Sequence, residues 1–175
     1  MLAALLGAGA AFVAAPPELA AAKALTQCVA HATGGLAITA GNAAALAETN
    51  VAYQADPPPA LRSMAHTAYG TAGFARSPST EGDVWIVGYD RGTCMVMVLN
   101  TPVDPVERKL AALFAAPGNW RAEPVDQISP DARWTQYGSD ADVVHLTAQM
   151  KVQPLPATPV KGLVMVTVSP ELQKK

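Results

Sequence analysis

Two cysteines, Cys28 and Cys94, are the only ones in the chain, and they fall in stretches of different hydrophobic period. Around Cys28 apolar residues recur at helical spacing. Leu25, Cys28, Val29 and Ala32 share one face of a segment that opens at Pro16-Pro17, carries Glu18 in its first turn and stops at Gly34-Gly35. Proline entry, an early acid and glycine exit mark helix boundaries for separate physical reasons. His31 lies off that stripe and is expected in solvent. Around Cys94 the period is two: Asp83-Val-Trp-Ile-Val-Gly-Tyr and Thr93-Cys-Met-Val-Met-Val-Leu-Asn100 flank an Asp90-Arg-Gly turn, the pattern of a β-hairpin. A count of two allows one intramolecular pairing, so in an oxidising compartment Cys28 bonds to Cys94. The bond requires Cys94, Val96 and Val98 to face the first helix, with Met95, Met97 and Leu99 on the opposite side. Closing so long a loop contributes roughly 4 kcal/mol in the chain-entropy account. The competing reading is two buried thiols acting as small hydrophobes.

The redox argument meets a second one at the N-terminus. Residues 1–15 are an uncharged run of small and apolar side chains followed by Pro16-Pro17. The run is shorter than the roughly 20 residues of a membrane-spanning helix and reads as the apolar region of a secretory signal peptide, cut after Val13-Ala14-Ala15 in preference to Ala20-Ala21-Ala22, which would consume part of the first helix. No Lys or Arg precedes Lys23, so the positively charged leader is missing, and an Ala/Leu-rich N-terminal helix of a cytoplasmic protein is the alternative. The expectation is a periplasmic or secreted protein with no stable membrane span in its mature chain, folded as one domain over residues 16–175.

The remaining elements follow from local signals. Asn42 as N-cap opens a short alanine-rich helix to Glu48, and Pro57-Pro58-Pro59 precede a third helix with Leu61, Met64, Ala65 and Ala68 on its apolar side, ended at Gly70. His66 falls outside that stripe. Asp104-Pro105-Val106-Glu107 carries the signature of a capping box, and the helix it starts should bury Val106, Leu110, Leu113 and Phe114. Residues 133–138 and 142–152 read as a second hairpin, 154–159 as a stiff proline linker, and 162–168 as a final strand. The expected fold is α+β: an antiparallel sheet of roughly five strands covered on one face by helices, in the order helices-β-β-α-β-β-β. That order resembles profilin-like or PAS-like domains in element order alone, with no shared motif.

Function is much less legible. Charged residues are 15% of the chain and the net charge is −2, so no basic field is available for nucleic acid. His31, His66 and His145 are widely separated and lack metal-ligand spacing. No metal or other cofactor is expected. Serine occurs in neither a G-x-S-x-G nor an S-x-x-K setting, and the glycine clusters match no phosphate-binding fingerprint. One surface stands out: His145, Thr147, Gln149 and Lys151 alternate with an apolar side, and Arg133, Thr135 and Tyr137 are expected beside them across the hairpin. These residues could form a ligand or partner surface, although strand alternation alone produces the same pattern. The chain therefore reads as an exported accessory or binding protein, with a protein or small ligand as partner, rather than as an enzyme. The alternative is a small hydrolase-like periplasmic enzyme that sets His145 beside Asp140 or Asp142.

Overall fold

A computed structural model of the chain describes residues 11–65, 67–116, 120–126, 129–139, 145–156 and 158–170. Helix α1 (Pro17–Ala32) is followed by a 3₁₀ turn (Ala40–Asn42), α2 (Ala43–Glu48), β1 (Ala52–Tyr53), α3 (Pro59–Met64) and a second 3₁₀ turn (Thr67–Tyr69). Then come β2 (Ala72–Ser77), β3 (Asp83–Tyr89), β4 (Cys94–Pro102), α4 (Val103–Ala115), β5 (Trp120–Glu123), β6 (Arg133–Ser139), β7 (Leu146–Leu155) and β8 (Thr158–Pro170). The strands form one antiparallel sheet in the order β1-β2-β3-β4-β8-β7-β6-β5.

This corrects the expected five-strand sheet and its element order: the sheet has eight strands. The additions are β1, β2 and β5, two of them at the edges. β1 is two residues long, and β2 reads Ala-Gly-Phe-Ala-Arg-Ser with no branched side chain. The proline linker is corrected too, because β7 and β8 pair from Leu146↔Pro170 to Leu155↔Thr158 and share a hairpin there. The chain beyond Pro154 stays in the ladder by a register shift at Pro154/Leu155, where a bulge accommodates a residue that cannot donate.

Helices α1 and α4 pack on one face of the sheet, over Val84, Ile86, Val96, Val98, Val164, Val166, Val168, Ala148, Met150 and Val152. Cys28 and Cys94 are disulfide-bonded with Cα atoms 5.4 Å apart, and Cys94, Val96 and Val98 do turn towards α1. The opposite face is not bare, as a sheet covered on one face would have it. Leu61 of α3 closes part of it over Phe74, Trp85, Val87, Tyr89, Met95 and Met97. Residues 11–15 lie against the body, where Val13 exchanges two hydrogen bonds with the Asn50 side chain at 2.9 and 2.8 Å. Ala15 bridges residues 78–80 through Ala15 N–H to Pro78 C=O and Thr80 N–H to Ala15 C=O.

Two helix starts differ from their sequence signals. Asn42 does not cap α2; its side-chain amide donates to Ala37 C=O at 2.9 Å. At α4 the first helical residue is Val103 and no side chain caps it, because the Glu107 carboxylate accepts from Arg133 of β6 instead of from the backbone. Leu113, expected inward, is 37% exposed.

Candidate functional site

Pairing decides which of the sequence-proposed surface residues meet. In the β6–β7 ladder Arg133 lies opposite Val152, Thr135 opposite Met150 and Tyr137 opposite Ala148. Cross-strand partners share a face, so Arg133, Thr135 and Tyr137 belong to the face carrying α1 and α4. Thr147, Gln149 and Lys151 pair with Gly138, Gln136 and Trp134 on the other face. The two halves of the surface therefore sit on opposite sides of the sheet, as a one-residue difference in register dictates. On the outer face Gln149 Nε2 donates to Gln136 Oε1 and Gln136 Nε2 to Glu123 Oε2, both at 2.9 Å. The Lys151 ammonium lies 5.5 Å from the Trp134 ring centre. Exposed His145 precedes β7 and donates from Nδ1 to Ser139 C=O at 2.9 Å. Asp140 and Asp142, its proposed carboxylate partners, lie outside the described residues, as does His66.

On the inner face, Arg133 donates to both oxygens of Glu107 and lies 3.6 Å from Asp104. The Glu107 hydrogen bond raises the guanidinium pKa above its ordinary value, opposed by partial burial and assisted by the charges of Glu107 and Asp104. Tyr137 stacks on Phe114, with ring centres 4.3 Å apart and planes 12° apart, and Phe114 meets Trp120 edge-on at 5.1 Å. These contacts join α4 to the β5–β6 end of the sheet, and Phe114 and Trp120 also border a depression of about 230 Å³ against α1.

The larger openings are at the other end. His31, expected in solvent, is 7% exposed. Its Nδ1 accepts from Ile38 N–H at 3.2 Å while Nε2 lies 2.8 Å from Tyr89 C=O. A carbonyl only accepts, so Nε2 carries the proton and the ring is the neutral Nε2–H tautomer. One turn earlier, buried Gln27 donates from Nε2 to Leu36 C=O at 2.8 Å. Two polar side chains on the buried face of α1 thus hold the loop that follows it. That loop drives Ile38 onto a pair of facing glycines, Gly73 and Gly88. A Cβ on Gly73 would stand 1.9 Å from Ile38 O, and one on Gly88 would stand 2.7 Å from Ile38 Cβ and 3.0 Å from His31 Cε1. Here close backbone approach, not a turn, requires glycine.

Where the loop stops, two depressions flank the start of β2. The one on the helix face has a volume of about 810 Å³ and is lined by Ala32, Ala37 and Ile38 among others. The one on the opposite face, about 740 Å³, is lined by Gln54, Arg62, Ala65 and Phe74 among others. Tyr53, Thr71, Ala72, Tyr89, Asp90 and Arg91 border both, so they form one groove wrapped around a strand edge. Arg62 is ion-paired with Asp56 at 2.7 Å and Arg91 donates to Ala68 C=O at 3.3 Å. Sequence reading passed over this site. Its one signal is Gly88 inside the strand-period segment 83–89, which marks a bulge or a close approach of other backbone.

Among the described residues no group of three or more His, Cys, Asp or Glu could hold a metal ion, and no helix is long and apolar enough to cross a membrane. Comparison of the chain with protein-family models, curated proteins and solved structures finds no match.

Proposed function

We propose that the chain is an accessory binding protein, periplasmic or secreted, that holds a protein segment or small ligand in the groove around β2. The observation that carries this reading is the groove itself: two connected depressions of about 810 and 740 Å³ with aromatic, charged and apolar walls, the mixture from which binding clefts are built. The Cys28–Cys94 bond is compatible with an oxidising compartment and supports export. Cleavage after Ala15 would cost the Val13–Asn50 and Ala15 hydrogen bonds, all made at the surface by a short segment, and would leave the sheet and both cores intact.

Co-purification from the exported fraction, with the native chain and with Ala40→Trp and Ala55→Trp, tests the reading. Ala40 and Ala55 are exposed and line opposite sides of the groove, so a tryptophan at either obstructs it without entering the core. A bound component recovered with the native chain and lost from both variants supports the groove. Equal recovery from all three removes it, and a chain found only in the cytoplasm removes the export half.

A further inference from the structure

We infer that the groove takes an extended peptide, which pairs with the open edge of β2 at Ala72 and alternates acidic and β-branched apolar side chains; this deepens the binding reading above and rests on it. The backbone hydrogen bonds fix which way Ala72 faces. Asp90 N–H donates to Thr71 C=O on the β3 side, Gln54 N–H donates to Phe74 C=O on the β1 side, and Tyr89, opposite Ala72, gives its N–H to Thr93 C=O in β4. In an antiparallel ladder consecutive residues bond alternately to the two neighbouring strands. The N–H and C=O of Ala72 therefore point away from β3, in the direction of Phe74 C=O. β1 ends before reaching them, since its ladder stops at Tyr53↔Ala75 and Gln54. Ala72 borders both depressions, so a free donor and acceptor stand at the centre of the groove.

Strand addition is the recognition mode that this geometry serves: main-chain bonds hold the peptide and pockets on either face sort its side chains. A residue added opposite Ala72 projects to the face of Ala72, Phe74 and Tyr89, where, among the described lining residues, Arg62 and Arg91 stand against one carboxylate, Asp90. Arg62 is shared with Asp56, but that pair is exposed at 57% and 94%, and exposed ion pairs exchange partners at little cost. An acidic side chain fits there. Gln54, paired with Phe74, sets where the peptide starts; the next residue, opposite Thr71, projects to the helix face, against Ala32, Ala37 and Ile38, and valine suits both that wall and the extended backbone.

The probe is the capped tripeptide acetyl-Asp-Val-Thr-amide, which starts opposite Ala72 just past Gln54, titrated into the full ¹⁵N-labelled chain. The expected result is saturable binding with a downfield shift of the Ala72 amide and little change along α1. N-methylation of the Asp should weaken binding about tenfold, the equivalent of one hydrogen bond, and an Asp-to-Lys peptide should bind worse still. Ala72→Pro should abolish binding with the thermal midpoint nearly unchanged, because its N–H serves no internal bond and edge positions accept proline. Shifts confined to another surface, or equal affinity for the N-methylated peptide, overturn the proposal. So does an Ala72 shift that follows protein concentration without peptide, which assigns the edge to a second copy. If the peptides fail while Ala40→Trp and Ala55→Trp still lose the co-purified component, strand addition falls and the groove reading stands. If those variants retain the component, the groove reading falls by itself.

Discussion

A single row of residues crosses the helix face of the sheet: Gly73, Gly88, Cys94, Val168, Ala148, Tyr137 and Ala122, each opposite the next. Its two ends are closed in different ways. At Tyr137 the row presents a ring, and Phe114 and Trp120 complete an aromatic seal between α4 and the sheet. At Gly73 and Gly88 the row presents no side chain, and the space is taken by Ile38 and its own backbone, held from above by Gln27 and His31. The side-chain seal buries Phe114 and leaves only a depression of about 230 Å³ beside it. A main-chain seal is narrower, and the groove begins where it ends. Midway, the Cys28–Cys94 bond pins α1 to the sheet, so either end can be altered while the centre holds.

The largest effect is expected at the sealed end. Phe114→Ala removes a ring that is 3% exposed and should lower unfolding free energy by about 3–5 kcal/mol in urea titration, without affecting anything that binds in the groove. Gly73→Ala should cost less, about 1–3 kcal/mol, because the loop can move where a packed core cannot. Its distinguishing signature is faster amide exchange over residues 36–42. If the two seals are independent, the double variant should equal the sum of the singles to within about 0.5 kcal/mol; a larger discrepancy would mean that the ends communicate through α1. His31→Phe keeps the size but removes both hydrogen bonds, stranding the buried Ile38 N–H, and should cost about 1–3 kcal/mol. Its effect should be nearly absent in the background of Gly73→Ala, where the loop has already left.

The two ends also differ in how much the sequence revealed. The disulfide and the facing of Cys94, Val96 and Val98 were legible because cysteine pairing and strand alternation are strict rules with few solutions. Most of α4 was legible from its spacing. Its start was not, because Glu107 could serve either the helix N-terminus or an arginine, and the nearness of Arg133 depends on the β6 register. The β2 end was opaque for a related reason. Ala20, Ala21 and Ala24 let α1 approach so closely that Gln27 and His31 are buried beside Leu25 and Cys28, whereas helical periodicity weighted by large side chains assigns His31 to water. The surface around His145 is split between two faces because alternation fixes each strand's two sides but not which residue of the next strand lies opposite. That register is a tertiary property.

The smallest effect tests whether the sealed end needs its ion pair at all. Arg133 ties β6 to the first turn of α4 through Glu107, close to the aromatic seal, yet its side chain is 53% exposed. An arginine whose pKa is raised in the folded state contributes stability that is complete below its ordinary pKa and is lost only when pH climbs through the higher folded value. The guanidinium is therefore charged throughout the neutral range and adds no pH dependence there. Solvent and salt screen a pair this exposed, so Arg133→Gln should cost about 0.2–1 kcal/mol at low ionic strength and less in 1 M salt. A cost above about 2 kcal/mol that persists in salt would mean that Arg133 orients α4 for the Phe114–Tyr137 stack, and that the side-chain seal depends on a polar strut much as the opposite end depends on His31.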